Sequence, residues 1–87
     1  MLLGVTRAAL ARHEPERALA AAERVLTDDP LHEEALAEAL RSLVASGRRA
    51  EAERTYAKHV ALCRRELDAP PGPELVSLAR QLGVATP

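Results

Sequence analysis

The chain has neither tryptophan nor phenylalanine, and Tyr56 is its only tyrosine. Proteins that hold single-stranded nucleic acid stack its bases on aromatic faces, so that mode of binding is excluded. Neither sign of charge is in excess: 12 lysines and arginines stand against 13 acids, for a net charge of -1. A duplex-binding surface needs a basic balance or stripe, and direct nucleic-acid binding by this chain is therefore not expected. The single cysteine, Cys63, rules out an internal disulfide. A lone cysteine fits a reducing compartment, and the chain is read as cytoplasmic. Charges interrupt every apolar run well short of the roughly 18 residues a membrane span needs. There is no glycine-rich phosphate loop, and Ser42, Ser46 and Ser77 have no positioned base. The chain is accordingly read as a non-enzyme without a cofactor.

What the sequence does have is helix. Alanine, leucine, glutamate and arginine dominate, all strong helix formers, and 87 residues suffice for one domain. Punctuation divides the chain into about five helices. His13-Glu14-Pro15 separates a first helix (about 2–12) from a second (about 15–27), with Pro15 in the opening turn of the latter. Asp28-Asp29-Pro30 ends that helix and starts a third, with Asp29 as its cap and Pro30 as its first residue. Ser46-Gly47 stops the third, and a fourth runs from about Arg48 to Leu67. The stretch Ala69-Pro70-Pro71-Gly72-Pro73 cannot be helical. A short fifth helix, about 73–82, ends at Gly83. Apolar residues recur at helical spacing: Leu36, Ala39, Leu40, Leu43 and Val44 in the third helix, and Ala52, Tyr56, Val60, Cys63 and Leu67 in the fourth. Short connections imply antiparallel neighbours.

The pattern repeats after about 34 residues. On that shift Leu2 meets Leu36, Val5 meets Ala39, Arg7 meets Arg41, Leu10 meets Val44, Ala18 meets Ala52 and Leu26 meets Val60. The period is that of the tetratricopeptide helix–turn–helix, in which small residues let the two helices approach closely. The expected fold is all-α: antiparallel helix hairpins in a tetratricopeptide-like stack. It comprises one domain of two degenerate repeats, about 1–30 and 31–68, closed by a capping helix at about 73–82. Leu75, Leu78 and Leu82 of that cap are expected to pack back on the fourth helix. Met1 to His13 has arginines and no acid, as transit peptides do, but it continues the repeat and is assigned to the fold.

A closer likeness lies in the order and spacing of several short runs. Asp29-Pro30-Leu31-His32-Glu33-Glu34-Ala35-Leu36 is followed by Ala45-Ser46-Gly47-Arg48-Arg49-Ala50-Glu51-Ala52, then Tyr56, Arg64-Arg65-Glu66-Leu67 and Pro71-Gly72-Pro73-Glu74-Leu75. Over roughly residues 18 to 78 this resembles the bacterial transcriptional activator domain, the tetratricopeptide-like helical part of SARP-type and related regulators. Two positions depart from that pattern: Asp68 stands where the family usually has glycine, and Gly72 where it usually has serine. The resemblance implies regulation, self-association and contacts with other proteins. In the family this domain usually follows a winged-helix DNA-binding domain, for which this chain has no room, so DNA binding does not carry over. The alternative is a free-standing tetratricopeptide adaptor for a peptide or protein partner.

Several residues are candidates for partner contact. Arg7 and Arg41 occupy equivalent points on the first helix of each repeat, the helix that lines the concave groove of such stacks. Paired guanidiniums suit carboxylate recognition, with Leu10, Glu34 and Val44 on the same surface. The simpler reading pairs Arg41 with Glu38 one turn back and leaves Arg7 solvated. Arg48 and Arg49 open a helix, where cations oppose its dipole; they either bond acids of a neighbouring helix or partner or are simply solvated, and solvation is the expectation. His59 and Cys63, at i and i+4, are able to face one metal. A structural zinc site wants four ligands, however, so no metal is assigned and Cys63 is read as a small core residue. Repeat arrays need about three units to bury enough core, and here two are visible. Leu2, Leu3 and Val5 are therefore expected to be covered by a second copy, making a homodimer.

Overall fold

The computed structural model describes the backbone of residues 3–85 and the side chains of residues 14–85. It is all-α, with α1 (Leu3–Asp28), α2 (Glu33–Ala45), α3 (Arg49–Leu67) and α4 (Pro73–Leu82) in chain order. The two helices expected before Asp28 are one. Pro15 lies inside α1 and does not break it. A proline removes a single N–H donor from the ladder, and strong helix formers flank it on both sides here.

The link from α1 to α2 differs in detail from the expectation. Asp29 and Pro30 build a turn outside the helix: Asp29 Oδ1 accepts the Leu31 N–H at 3.3 Å, and the Asp29 carbonyl accepts the His32 N–H at 3.1 Å. The cap of α2 is His32, whose Nδ1 accepts the Ala35 N–H at 3.1 Å. An aspartate that bonds two residues ahead folds its own turn and is not free to cap. Glu33 and Glu34 occupy the first turn of α2, where the helix dipole favours anions.

Helix ends follow the glycines. Gly47 has φ 75, with the Arg48 N–H bonded to the Leu43 carbonyl and the Gly47 N–H to that of Val44. Gly83 has φ 73, with Val84 N–H to Ala79 and Gly83 N–H to Arg80. Both are Schellman endings, and at the second the residue past the glycine, Val84, is buried in the core. At the end of α3 the left-handed position falls to Asp68 (φ 52), whose N–H bonds the Arg64 carbonyl. Its backbone thus adopts the conformation that glycine takes without a Cβ penalty.

α2 is the shared partner, packing against α1, α3 and α4 in turn. Its buried residues are Ala35, Leu36, Ala39, Leu40, Ser42 and Leu43, and Glu34, Glu38 and Arg41 form its exposed stripe. Alanines recur where helices meet, with Ala39, Ala52 and Ala79 all essentially inaccessible. α4 packs on α2, and not chiefly on the helix before it as expected, through buried Leu75 and Ala79. The stripe on α3 also differs from the expectation. Ala52, Tyr56 and Cys63 are buried as read, but His59 is buried in place of half-buried Val60, and Leu67 is 58% exposed.

Candidate functional site

The first candidate site is the groove between α2 and α4. Glu34 and Arg41, one turn of helix either side of Glu38, line it from α2, and Pro73, Glu74 and Leu78 line it from the opposite wall. Arg41 Nη1 donates to Glu38 Oε1 at 2.7 Å, so the guanidinium is already paired. Glu33, Glu34, Glu38 and Glu74 together make the groove acidic. The Arg41–Glu38 pair is the simpler of the two readings of Arg41, and the surface that Arg41 would share with Arg7 extends beyond the residues whose side chains are described. Val44 does not join the groove; it is half-buried and packs against the core. Arg7 and Leu10, and the self-association candidates Leu2, Leu3 and Val5, fall outside the residues whose side chains are described.

The second site lies at the inner edge of this groove, where α2, α3 and the turn into α4 converge. Glu33 Oε2 lies 3.0 Å from His59 Nε2, and the same ring nitrogen lies 3.2 Å from Cys63 Sγ. Both Glu33 oxygens also accept the Gly72 N–H, each at 3.0 Å. His59 and Cys63 are buried to 3% and 1% exposure, whereas the Glu33 side chain retains 34%. The i, i+4 spacing of His59 and Cys63 was readable in the sequence. Glu33 was not, because it arrives from 26 residues away through the packing of α3 on α2.

Burial raises the Cys63 thiol above its ordinary pKa, and the nearby Glu33 charge adds to the effect. Burial likewise raises Tyr56; Arg80 opposes the shift, and Glu33 and Cys63 reinforce it. A reactive cysteine needs an exposed thiolate of lowered pKa. The adjacent Cys63–His59 pair has the opposite character, a buried thiol of raised pKa.

Arg48 and Arg49 are not simply solvated. Arg48 grips the Glu51 carboxylate through Nε and Nη2 at 2.8–3.0 Å. Arg49 Nη1 donates to the Leu82 carbonyl at the end of α4, placing a cation at the negative end of that helix.

The described helices therefore form an α2-centred helical module with an acidic groove. The family model of the bacterial transcriptional activator domain matches residues 2–82, and the chain belongs to that family. No curated protein and no solved structure matches it. Among the described residues no helix is long and apolar enough to cross a membrane.

Proposed function

We propose that this chain is the regulatory helical part of a bacterial transcriptional regulator, acting in the cytoplasm through protein contacts and self-association. It neither reads DNA itself nor catalyses a reaction. The observation that carries this reading is the family match across residues 2–82. The all-α architecture supports it, with α2 and α4 bordering an open groove. The partner segment suited to that groove is basic, because four carboxylates line it against one arginine.

The free-standing adaptor reading shares this surface and differs in genetic context. The intact mass of the native polypeptide in its source cell separates the two. A mass well above 9.4 kDa supports the larger regulator; a mass of 9.4 kDa supports the adaptor. Self-association is checked by light scattering of the purified chain, where a monomer at micromolar concentration rejects the homodimer.

A further inference from the structure

The Glu33, His59 and Cys63 side chains bring three potential ligand atoms within 4.8 Å of one another. Their hydrogen bonding turns on one ring nitrogen. His59 Nε2 is either a donor or a lone pair. As a donor it serves Glu33 at 3.0 Å or Cys63 at 3.2 Å, but one proton cannot lie on both lines. As a lone pair it faces the Glu33 carboxylate, itself a lone-pair donor. Three ligand-type groups thus converge, with the Cys63 thiol proton and at most one proton on this ring nitrogen among them.

A cation at that point satisfies all three at once. Around a tetrahedral zinc, ligands at about 2.0–2.3 Å stand about 3.3–3.7 Å from one another. The observed 3.0 and 3.2 Å separations reach that spacing by shifts of a few tenths of an ångström, and the Glu33–Cys63 pair, within 4.8 Å, by a closure of up to about 1 Å. Thiolate, imidazole and carboxylate together are a zinc-class donor set. The Gly72 N–H, bonded to both oxygens of Glu33, supplies the outer contact that holds a ligating carboxylate in place. Glu33 is the partly exposed member, and it opens onto the groove that also presents Glu34, Glu38 and Glu74. That acidic approach concentrates cations at the mouth of the site.

We propose that Glu33, His59 and Cys63 form a three-ligand site for a zinc-class divalent cation, its fourth position open to the α2–α4 groove. The ion joins α2 to α3 directly and, through Gly72, to the turn into α4. Occupancy therefore sets how firmly the groove's two walls are held together. This inference is independent of the regulatory reading above, since it concerns binding by the isolated chain.

The test is titration of the chelator-stripped full chain with Co2+, followed by optical absorption. Cys63 is the only cysteine, so any thiolate-to-cobalt charge-transfer band reports this residue. The expected result is that band at one metal per chain, with visible d–d bands of tetrahedral strength, both displaced by Zn2+. Cys63→Ala abolishes the charge-transfer band. Glu33→Gln keeps it but weakens binding by roughly 10–100-fold or more, the loss attached even to outer-sphere partners. His32→Asn, which retains an acceptor at the α2 cap, leaves binding unchanged. Circular dichroism confirms folding, with Cys63→Ser in reserve should the alanine variant unfold. No charge-transfer band in the folded wild-type chain overturns the proposal. So does one metal per two chains, or a loss of affinity in His32→Asn equal to that in Glu33→Gln.

Discussion

Both carboxylate oxygens of Glu33 lie 3.0 Å from the backbone nitrogen of Gly72, 39 residues further along the chain. This contact ties the start of α2 to the residue that precedes α4, and it uses the N–H of an N-cap position that has no side-chain cap of its own.

Glu33→Ala removes the acceptor of the Gly72 N–H together with the partner of buried His59. The expected loss is about 1–3 kcal/mol, the cost of leaving part-buried polar groups unpaired, measured by urea unfolding. A Cβ at Gly72 stands 2.5 Å from Glu33 Oε1, so Gly72→Ser, the family's usual residue, displaces that carboxylate. The serine is therefore expected to cost more in the wild-type background than in Glu33→Ala. A double-mutant cycle showing no coupling between the two positions disproves the contact.

The left-handed helix ends make a second prediction. Asp68→Gly relieves a Cβ at φ 52 and stabilises by about 0.5–1 kcal/mol. Gly47→Ala and Gly83→Ala incur the same backbone strain of about 1–2 kcal/mol. A Cβ at Gly47 meets nothing within 4 Å, whereas a Cβ at Gly83 meets Arg49 Nη1 at 2.8 Å. Gly83→Ala is thus the costlier of the two, and Arg49→Ala narrows the difference. Equal costs for both glycines, measured as midpoint shifts, contradict this account.

Arg49→Ala also tests the far end of α4. Losing the donor to the Leu82 carbonyl is expected to cost about 0.5–1 kcal/mol, at the modest level of an exposed charge near a helix terminus. Arg48→Ala costs less, since it breaks only an exposed pair at the start of α3. Hydrogen exchange distinguishes them: Arg49→Ala speeds exchange of the last amides of α4, and Arg48→Ala leaves them unchanged.

The raised pKa values of Cys63 and Tyr56 fix the sign of an alkaline effect in the metal-free chain. A group with a raised folded pKa deprotonates first in the unfolded state. Its contribution is complete below the unfolded pKa and is lost as pH rises through the folded one. Stability therefore falls as pH climbs past the ordinary thiol value of about 8.5, and again beyond the ordinary phenol value of about 10. Tyr56→Phe removes the second step and Cys63→Ala the first. Unfolding curves that stay flat from neutral pH to the phenol range refute both.

The ends of α2 and α4 were legible because glycine is the residue that tolerates a left-handed backbone, and Gly47 and Gly83 adopt it. The core stripe of α2 was legible because its apolar residues are closely spaced and nearly all buried. Pro15 misled because a proline's local cost does not show whether a helix runs through it. His59 was left out of the α3 stripe for a different reason. A polar residue on a helix face reads as exposed unless its partner is visible, and Glu33 is reached only through tertiary packing. Asp29 looked like a cap by residue type, yet its side chain was already committed to Leu31. The groove's acidity was likewise hidden, because Glu74 joins the α2 carboxylates from a separate helix.

Since α1, α3 and α4 each lean on α2, the module has the connectivity of a hub with three spokes. A spoke can loosen without unmaking the contacts of the other two, whereas a disturbance of α2 reaches all three together. A displacement of α1 and one of α4 therefore both act on the same 13-residue helix.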